Sequence, residues 1–373
     1  MLALTQHASF MVPFSIMAYI VAVIIIVFIH ELGHFMVGRW CGVKIDAFSI
    51  GFGPEIWGFN DRHGTRWKFC WIPLGGYVKF QGDANAASLP SRGTVVSETS
   101  LQGAKLWKRF LIVLAGPVAN FLLSIAIFTS AYMIYGQFIS EPRVDEVVAD
   151  GAAKQAGLQA GDYIRKINNT EIHSFAEIQD MMVLRSIIPM TLVVERAGQK
   201  LDLTLTPKFA DVDDGMGGKV QTTQIGIKHD GKLDPQVVQK LGPVEALSKG
   251  IERTYFVAQT TVLYVAKVFT GTASSNQLHG PAGVAKIAGD TAAMGVWPFL
   301  FLIGLISVSI GLINLFPIPM LDGGHVLFYL IEAVSGRPIS PTAQEWSFRI
   351  GLSAILMLLV LATTNDASLF FGH

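Results

Sequence analysis

Charge is scarce in this sequence. Of its 373 residues 15% are charged and 51% hydrophobic, and the mean hydropathy is +0.46. Formal net charge is zero, so nothing points to a nucleic-acid partner. Cysteine is nearly missing: Cys41 and Cys70 stand alone, too few for a disulfide framework and without C-x-x-C spacing, so both read as free thiols. Met1 to Ile29 holds no Lys or Arg, so the basic start of a cleaved signal peptide is missing. No internal repeat is present. What remains is an integral membrane protein that carries at least one polar domain.

Long uncharged runs mark the spans. Met11 to Ile29 begins the first, and its helix continues through Phe35. Phe110 to Ser140 is a second, 31 residues long, and Thr291 to Leu321 a third of the same length. Ile350 to Asn365, with 16 uncharged residues, is a short fourth. Between the first two lies a basic stretch, Arg39 to Arg109, with ten Lys or Arg against five acids. Its centre alternates apolar and polar residues as strands do, over Lys44–Ile50, Arg66–Trp71 and Tyr77–Phe80. Gly51–Pro54 and Pro73–Gly76 read as turns, and Asp83 to Glu98 as a mobile loop. The basic excess places this loop in the cytoplasm, so four spans put both termini and the segment after the second span on the outer side.

After Glu141 the composition becomes that of a soluble domain. A-G-L-x-x-G-D at Ala156–Asp162 leads into Tyr163–Asn168, a strand closed by a turn at Asn168-Asn169. Ser174 caps a helix over Phe175–Leu184, and strands follow at Met190–Arg196 and Lys200–Leu205. This pattern resembles a PDZ domain of the bacterial, protease-associated kind. The acidic stretch Ala210 to Lys219 reads as a solvated loop. Apolar residues from Val244 to Phe269 recur at three and four, an amphipathic helix for a membrane surface.

The chemistry-bearing motif is His30-Glu31-Leu32-Gly33-His34 at the end of the first span. Two histidines four apart share one helix face and can grip one metal ion, and Glu31 stands beside them to take a proton from water. Ionisable groups at that depth are expensive and point to function. A catalytic zinc takes three protein ligands. Asp322 is the leading third, the one carboxylate in the broken part of the third span, Asn314–His325, where two prolines and two glycines interrupt the helix. His325 and Glu55 are alternatives.

H-E-L-G-H, G-F-G-P, P-L-G-G-Y-V-K-F, the PDZ-like domain and N-L-F-P-I-P-x-L-D-G-G together resemble the site-2 protease family, zinc intramembrane metalloproteases, most of all its bacterial regulator-of-sigma-E protease branch. The resemblance implies His30, His34 and Asp322 as zinc ligands, Glu31 as catalytic base, and Asn314 near the substrate or oxyanion. It implies transmembrane substrates, anti-sigma factors or signal-peptide remnants, in a bacterial inner membrane. The domain would then be periplasmic and the active site near the cytoplasmic side. The chain departs from it in a single PDZ-like domain and in Met320. A metal transporter or an inactive scaffold displaying its domain is the alternative, and oligomeric state is left open.

The expected fold is a multi-pass α-helical membrane protein of about four transmembrane helices, with a membrane-associated β-hairpin loop and one inserted PDZ-like α+β domain. Its parts are 1–38, first helix; 39–109, basic loop; 110–140, second helix; 141–208, PDZ-like domain; 209–290, the amphipathic region; 291–324, third helix; and 325–373, a helical end with the fourth.

Overall fold

The computed structural model describes residues 2–83, 97, 99–184, 187–213, 219–230, 237–270 and 279–371. The chain opens with helix α1 (Leu2–Trp40), strands β1 (Ile45–Asn60) and β2 (Arg66–Phe80), helix α2 (Leu106–Tyr135), and strands β3 (Gln137–Ile139) and β4 (Glu146–Val147). It continues through α3 (Ala152–Gln155), β5 (Tyr163–Ile167), β6 (Thr170–Glu171), α4 (Phe175–Leu184), β7 (Met190–Arg196) and β8 (Gln199–Leu205). Then come β9 (Lys208–Asp213), β10 (Lys219–Gln224), β11 (Ile227–Lys228), β12 (Val237–Gln239), α5 (Pro243–Phe269), α6 (Pro281–Ala293), α7 (Val296–Asn314), α8 (Asp322–Ser335) and α9 (Pro341–Phe371).

Two compact units result, one of residues 1–129, 250–258 and 278–368, the other of 130–249, 259–277 and 369–373. Among the described residues, four helical stretches are long and apolar enough to cross a bilayer: Val12–Trp40, Leu106–Tyr135, Val296–Asn314 and Thr342–Ala367. The spans differ in detail from the uncharged runs. Lys108 and Arg109 join α2 because their charges are met locally: Lys108 Nζ donates to the Cys41 carbonyl at 2.8 Å, and Arg109 forks onto Glu332 at 2.5 and 3.0 Å. The helix stops at Tyr135, since Gly136 takes a left-handed φ of 74° and β3 follows where the second span was expected to continue. Residues Thr291 to Gly295 belong to the end of α6 and to a turn in which Gly295 has φ 129°, so α7 starts at Val296. The last span is longer than expected because Arg349 and Glu345, one turn apart, pair at 3.0 Å inside α9.

Strands β1 and β2 form an antiparallel pair with repeated register shifts. Ala47–Ile50 pairs on one side with Gly76–Lys79 and on the other with Arg66–Phe69, while Glu55–Asn60 pairs with Arg66–Cys70. The two glycine-rich stretches expected as turns are instead bends inside these strands, with Gly51, Gly53 and Gly75 at φ between 86° and 106°. A buried cluster of Phe35, Phe48, Val78, Phe80 and Ile112 fixes the sheet to α1 and α2. Asp83 closes it: its carboxylate accepts from Phe80 N–H at 3.2 Å and from Gln102 Nε2 at 2.8 Å. Most of the mobile loop expected from there to Glu98 lies outside the described residues.

The second unit is α+β. Its sheet runs β6-β5-β7-β8, and α4 starts in a reciprocal cap in which Glu177 N–H donates to Ser174 Oγ and His173 N–H to Glu177 Oε2. Alternate residues of β7, namely Met190, Leu192 and Val194, point into a core with Ile164, Ile167 and Ile178. Ile225 and Ile227 pack on that core as well, because β4 takes its partner from β11. The domain therefore draws on residues beyond 208, the limit read from sequence. The acidic loop expected over 210–219 is in part strand: β9 runs through Asp213 and pairs with β10, and residues 214–218 lie outside the described residues. Strands β3 and β12 pair where the chain enters and leaves this unit, Gln137 facing Gln239.

Candidate metal centre

The first unit brings the expected donors to one point. His30 and His34 project from one face of α1, four residues apart, and both are buried. Asp322 is the first residue of α8. It is delivered there by a tight break after α7: Pro317 and Pro319 cannot donate, and Ile318 N–H bonds the Phe316 carbonyl at 2.7 Å. Met320, a non-glycine residue at φ 86°, turns the chain, and the break demands glycine on its far side. A Cβ on Gly323 would strike the Leu315 and Phe316 carbonyls, and one on Gly324 would lie 2.6 Å from the Ile318 carbonyl.

The geometry suits a metal ion. His30 Nε2 lies 3.1 Å from Asp322 Oδ2, His34 Nε2 lies 3.5 Å from Asp322 Oδ1, and the two Nε2 atoms are 3.2 Å apart. The donor atoms all lie within 4.8 Å of one another. Tetrahedral zinc with ligands at 2.0–2.1 Å needs donor separations of about 3.3 Å. The hydrogen bonds agree. His34 Nδ1 faces the Ile112 carbonyl at 2.8 Å, an acceptor only, so its proton sits on Nδ1 and Nε2 carries a lone pair. Asp322 Oδ2 is buried without a hydrogen-bond donor. Two such acceptors converging on an aspartate are costly when bare and satisfied by a cation. The residues fit zinc.

Glu31 shares the cavity, which has a volume of about 280 Å³ and is lined in addition by Gly75–Val78, Asn314, His325 and Tyr329. Val78 lines the same cavity wall beside it. Gly76 keeps the strand close: a Cβ there would come within 3.2 Å of Glu31 Cγ. His325 lies on the cavity wall against Phe348, outside the donor cluster, and Glu55 is elsewhere, paired with Arg66 across the β1–β2 sheet. Neither alternative third ligand joins the centre.

Two contributors were not anticipated from sequence. A Cβ on Gly116 of α2 would collide with His34 Nε2 and come within 2.8 Å of His30 Nε2, so this glycine makes the room in which both rings sit. Asn120, wholly buried, places its amide 3.2 Å from His30 Nδ1. In sequence both lie in Ala115-Gly116-Pro117-Val118-Ala119-Asn120, whose glycine and proline interrupt an uncharged run and read as a place of close helix contact. That reading also holds, since a Cβ on Gly33 of α1 would strike the Ala115 carbonyl.

Comparison with known proteins gives a family model described as Peptidase family M50, which matches residues 18–359. A protein of Rhizobium meliloti (strain 1021), assigned as a zinc metalloprotease, is 43% identical over 365 residues, covering 96% of this chain and 98% of its own length. Metalloprotease MmpA of Caulobacter vibrioides is 34% identical over 370 residues, 92% of each chain. Among solved structures, the PDZ domain of an SdrC-like protein from Listeria monocytogenes aligns with 24% of this chain and 87% of its own at 21% identity, with a TM-score of 0.19.

Proposed function

The chain belongs to peptidase family M50, the site-2 proteases, and from that premise we propose that His30, His34 and Asp322 hold its zinc and that Glu31 is its catalytic base. It is a zinc metalloendopeptidase of the membrane. The observation that carries the residue assignment is the convergence of two helix-borne imidazoles and one carboxylate at donor separations of 3.1–3.5 Å, with Glu31 in the same cavity.

Bound zinc supplies a Lewis acid that polarises the scissile carbonyl and acidifies water. The chain's own groups do the rest. Glu31, on the wall of the cavity that holds the donors, takes the proton from the attacking water at its carboxylate and passes it to the leaving nitrogen. Asn314, the last residue of α7 and on the cavity wall, hydrogen-bonds the substrate or its oxyanion. The substrates are helices of membrane proteins, by resemblance anti-sigma factors or signal-peptide remnants. Such a helix must unwind before water reaches its backbone. Segment Gly75–Val78, on the cavity wall, can hold an unwound stretch extended by strand addition. The excess of Lys and Arg in residues 39–109 supports a cytoplasmic site in a bacterial inner membrane, with the PDZ-like domain outside.

The test is Glu31→Gln. The variant binds zinc at the wild-type ratio and no longer cleaves a reporter membrane helix in detergent. Near-normal cleavage by the purified variant removes the assignment of the base.

A further inference from the structure

Both imidazoles hang from α1, yet the second nitrogen of each ring is held by α2. His34 Nδ1 meets the Ile112 carbonyl at 2.8 Å, and His30 Nδ1 meets the Asn120 amide at 3.2 Å. Between these two lies Gly116, the position at which any Cβ would collide with the ligating nitrogens. Residues 112, 116 and 120 are spaced by four, so they form one stripe of α2: a carbonyl, a gap and an amide.

The orientation of the Asn120 amide carries the argument. Its Nδ2 faces His30 Nδ1, while Oδ1 is buried without a partner. In that orientation Nδ2–H donates to a lone pair on Nδ1, which sends the imidazole proton to Nε2 and blocks coordination there. Exchanging the amide oxygen and nitrogen by a half-turn of the side chain leaves the shape unchanged. Oδ1 then accepts from His30 Nδ1–H, and the Nε2 lone pair points at Asp322 and His34, as His34's own bond to Ile112 already requires of that ring. The residue is well held for this task. Its backbone carbonyl accepts from Ser124 Oγ and from Ser307 Oγ of α7, each at 3.0 Å.

We propose that Asn120 is a positioning residue of the metal centre: through Oδ1 it accepts the Nδ1 proton of His30, fixing the tautomer and orientation in which Nε2 binds zinc. The inference rests on the assignment of His30, His34 and Asp322 as the zinc site and adds the outer partner that the first ring needs. Such partners orient the ligand and raise its basicity, and their loss typically weakens metal affinity 10–100-fold.

The experiment is zinc affinity of the full-length protein in detergent, by competition with a chromophoric chelator, for wild type, Asn120→Leu, Asn120→Asp and His30→Ala. Leucine keeps the volume and removes the acceptor; aspartate keeps the acceptor. Asn120→Leu binds zinc about 10–100-fold more weakly, and Asn120→Asp returns to within a few-fold of wild type. Leucine binding as tightly as wild type, or aspartate as weakly as leucine, overturns the proposal, the second outcome leaving Asn120 only a packing role. His30→Ala separates this from the underlying site, because undiminished zinc affinity in that variant means that the metal assignment itself is wrong. Should Asn120→Leu fail to fold, nitrogen-15 NMR of histidine-labelled, zinc-free wild type decides. It shows His30 protonated at Nδ1 if the proposal holds, and at Nε2 if it does not.

Discussion

Gly116 shows how far a single side chain governs the centre. With no Cβ it leaves α2 close enough for the Ile112 carbonyl to reach His34 while both Nε2 atoms keep free space in front of them. Gly116→Ala should therefore lower zinc affinity about 10–100-fold, in the range of an outer-partner loss, because the methyl and the imidazoles contend for one volume. Chelator competition on the purified variant measures it, and unchanged affinity would show that α2 moves aside freely. Asp322 and His325, one helical turn apart, make a sharper contrast. Asp322 faces both Nε2 atoms, whereas His325 packs on Phe348. Asp322→Ala should lose zinc, and His325→Ala should retain it with the same stoichiometry. Equal loss in both would make His325 a ligand.

At the scale of elements, two acidic side chains act as fasteners. Asp366, buried in α9, accepts from the N–H groups of Gly280, Ala282 and Gly283 at 2.9–3.0 Å and so caps α6 from another helix. Its replacement by alanine leaves three donors of a helix start without that acceptor and should destabilise the protein by about 1–3 kcal/mol, read from unfolding in detergent. Asp61, at the β1–β2 turn, is pushed up by burial but held down to about 2 by the His63 N–H, the Trp67 indole, the Thr65 N–H and Arg39. A carboxyl lowered on folding contributes stability that is complete above its unfolded value, near 4, and is lost as pH falls through the folded value. The stability gap between wild type and Asp61→Asn should therefore be full at pH 5 and shrink towards pH 2. A gap that stays constant over this range would dissociate Asp61 from the network.

The whole molecule consists of a helical unit that contains every proposed zinc donor and a second unit inserted into it. The paired strands β3 and β12 bring the entry and exit of the insert side by side. Replacing residues 141–235 by a short Gly/Ser linker should thus leave zinc content at the wild-type ratio. If the insert screens substrates, the shortened enzyme cleaves membrane proteins with bulky outer portions that wild type rejects. If it recruits them, cleavage of full-length and outer-truncated substrates slows alike.

Much of this was legible in the sequence because membrane depth simplifies the signal. Charge is so costly there that His30, Glu31, His34 and Asp322 stood out against uncharged runs, and the prolines and glycines of Asn314–His325 announced a broken helix. The α4 helix was legible to its ends because Ser174 and Glu177 cap it locally. Tertiary structure alone decided the rest. That Gly51, Gly53 and Gly75 bend strands instead of ending them depends on a pairing register between distant residues. That β4 finds its partner at Ile227, past the apparent domain end, depends on which edge lies open in the folded sheet. Asn120 and Gly116 sit in an uncharged helix, and their spacing of four carries no message until α1 is laid against α2. Only that packing, which brings the Ile112 carbonyl and the Asn120 amide to the two histidine rings, turns a stripe of ordinary residues into the support of the metal centre.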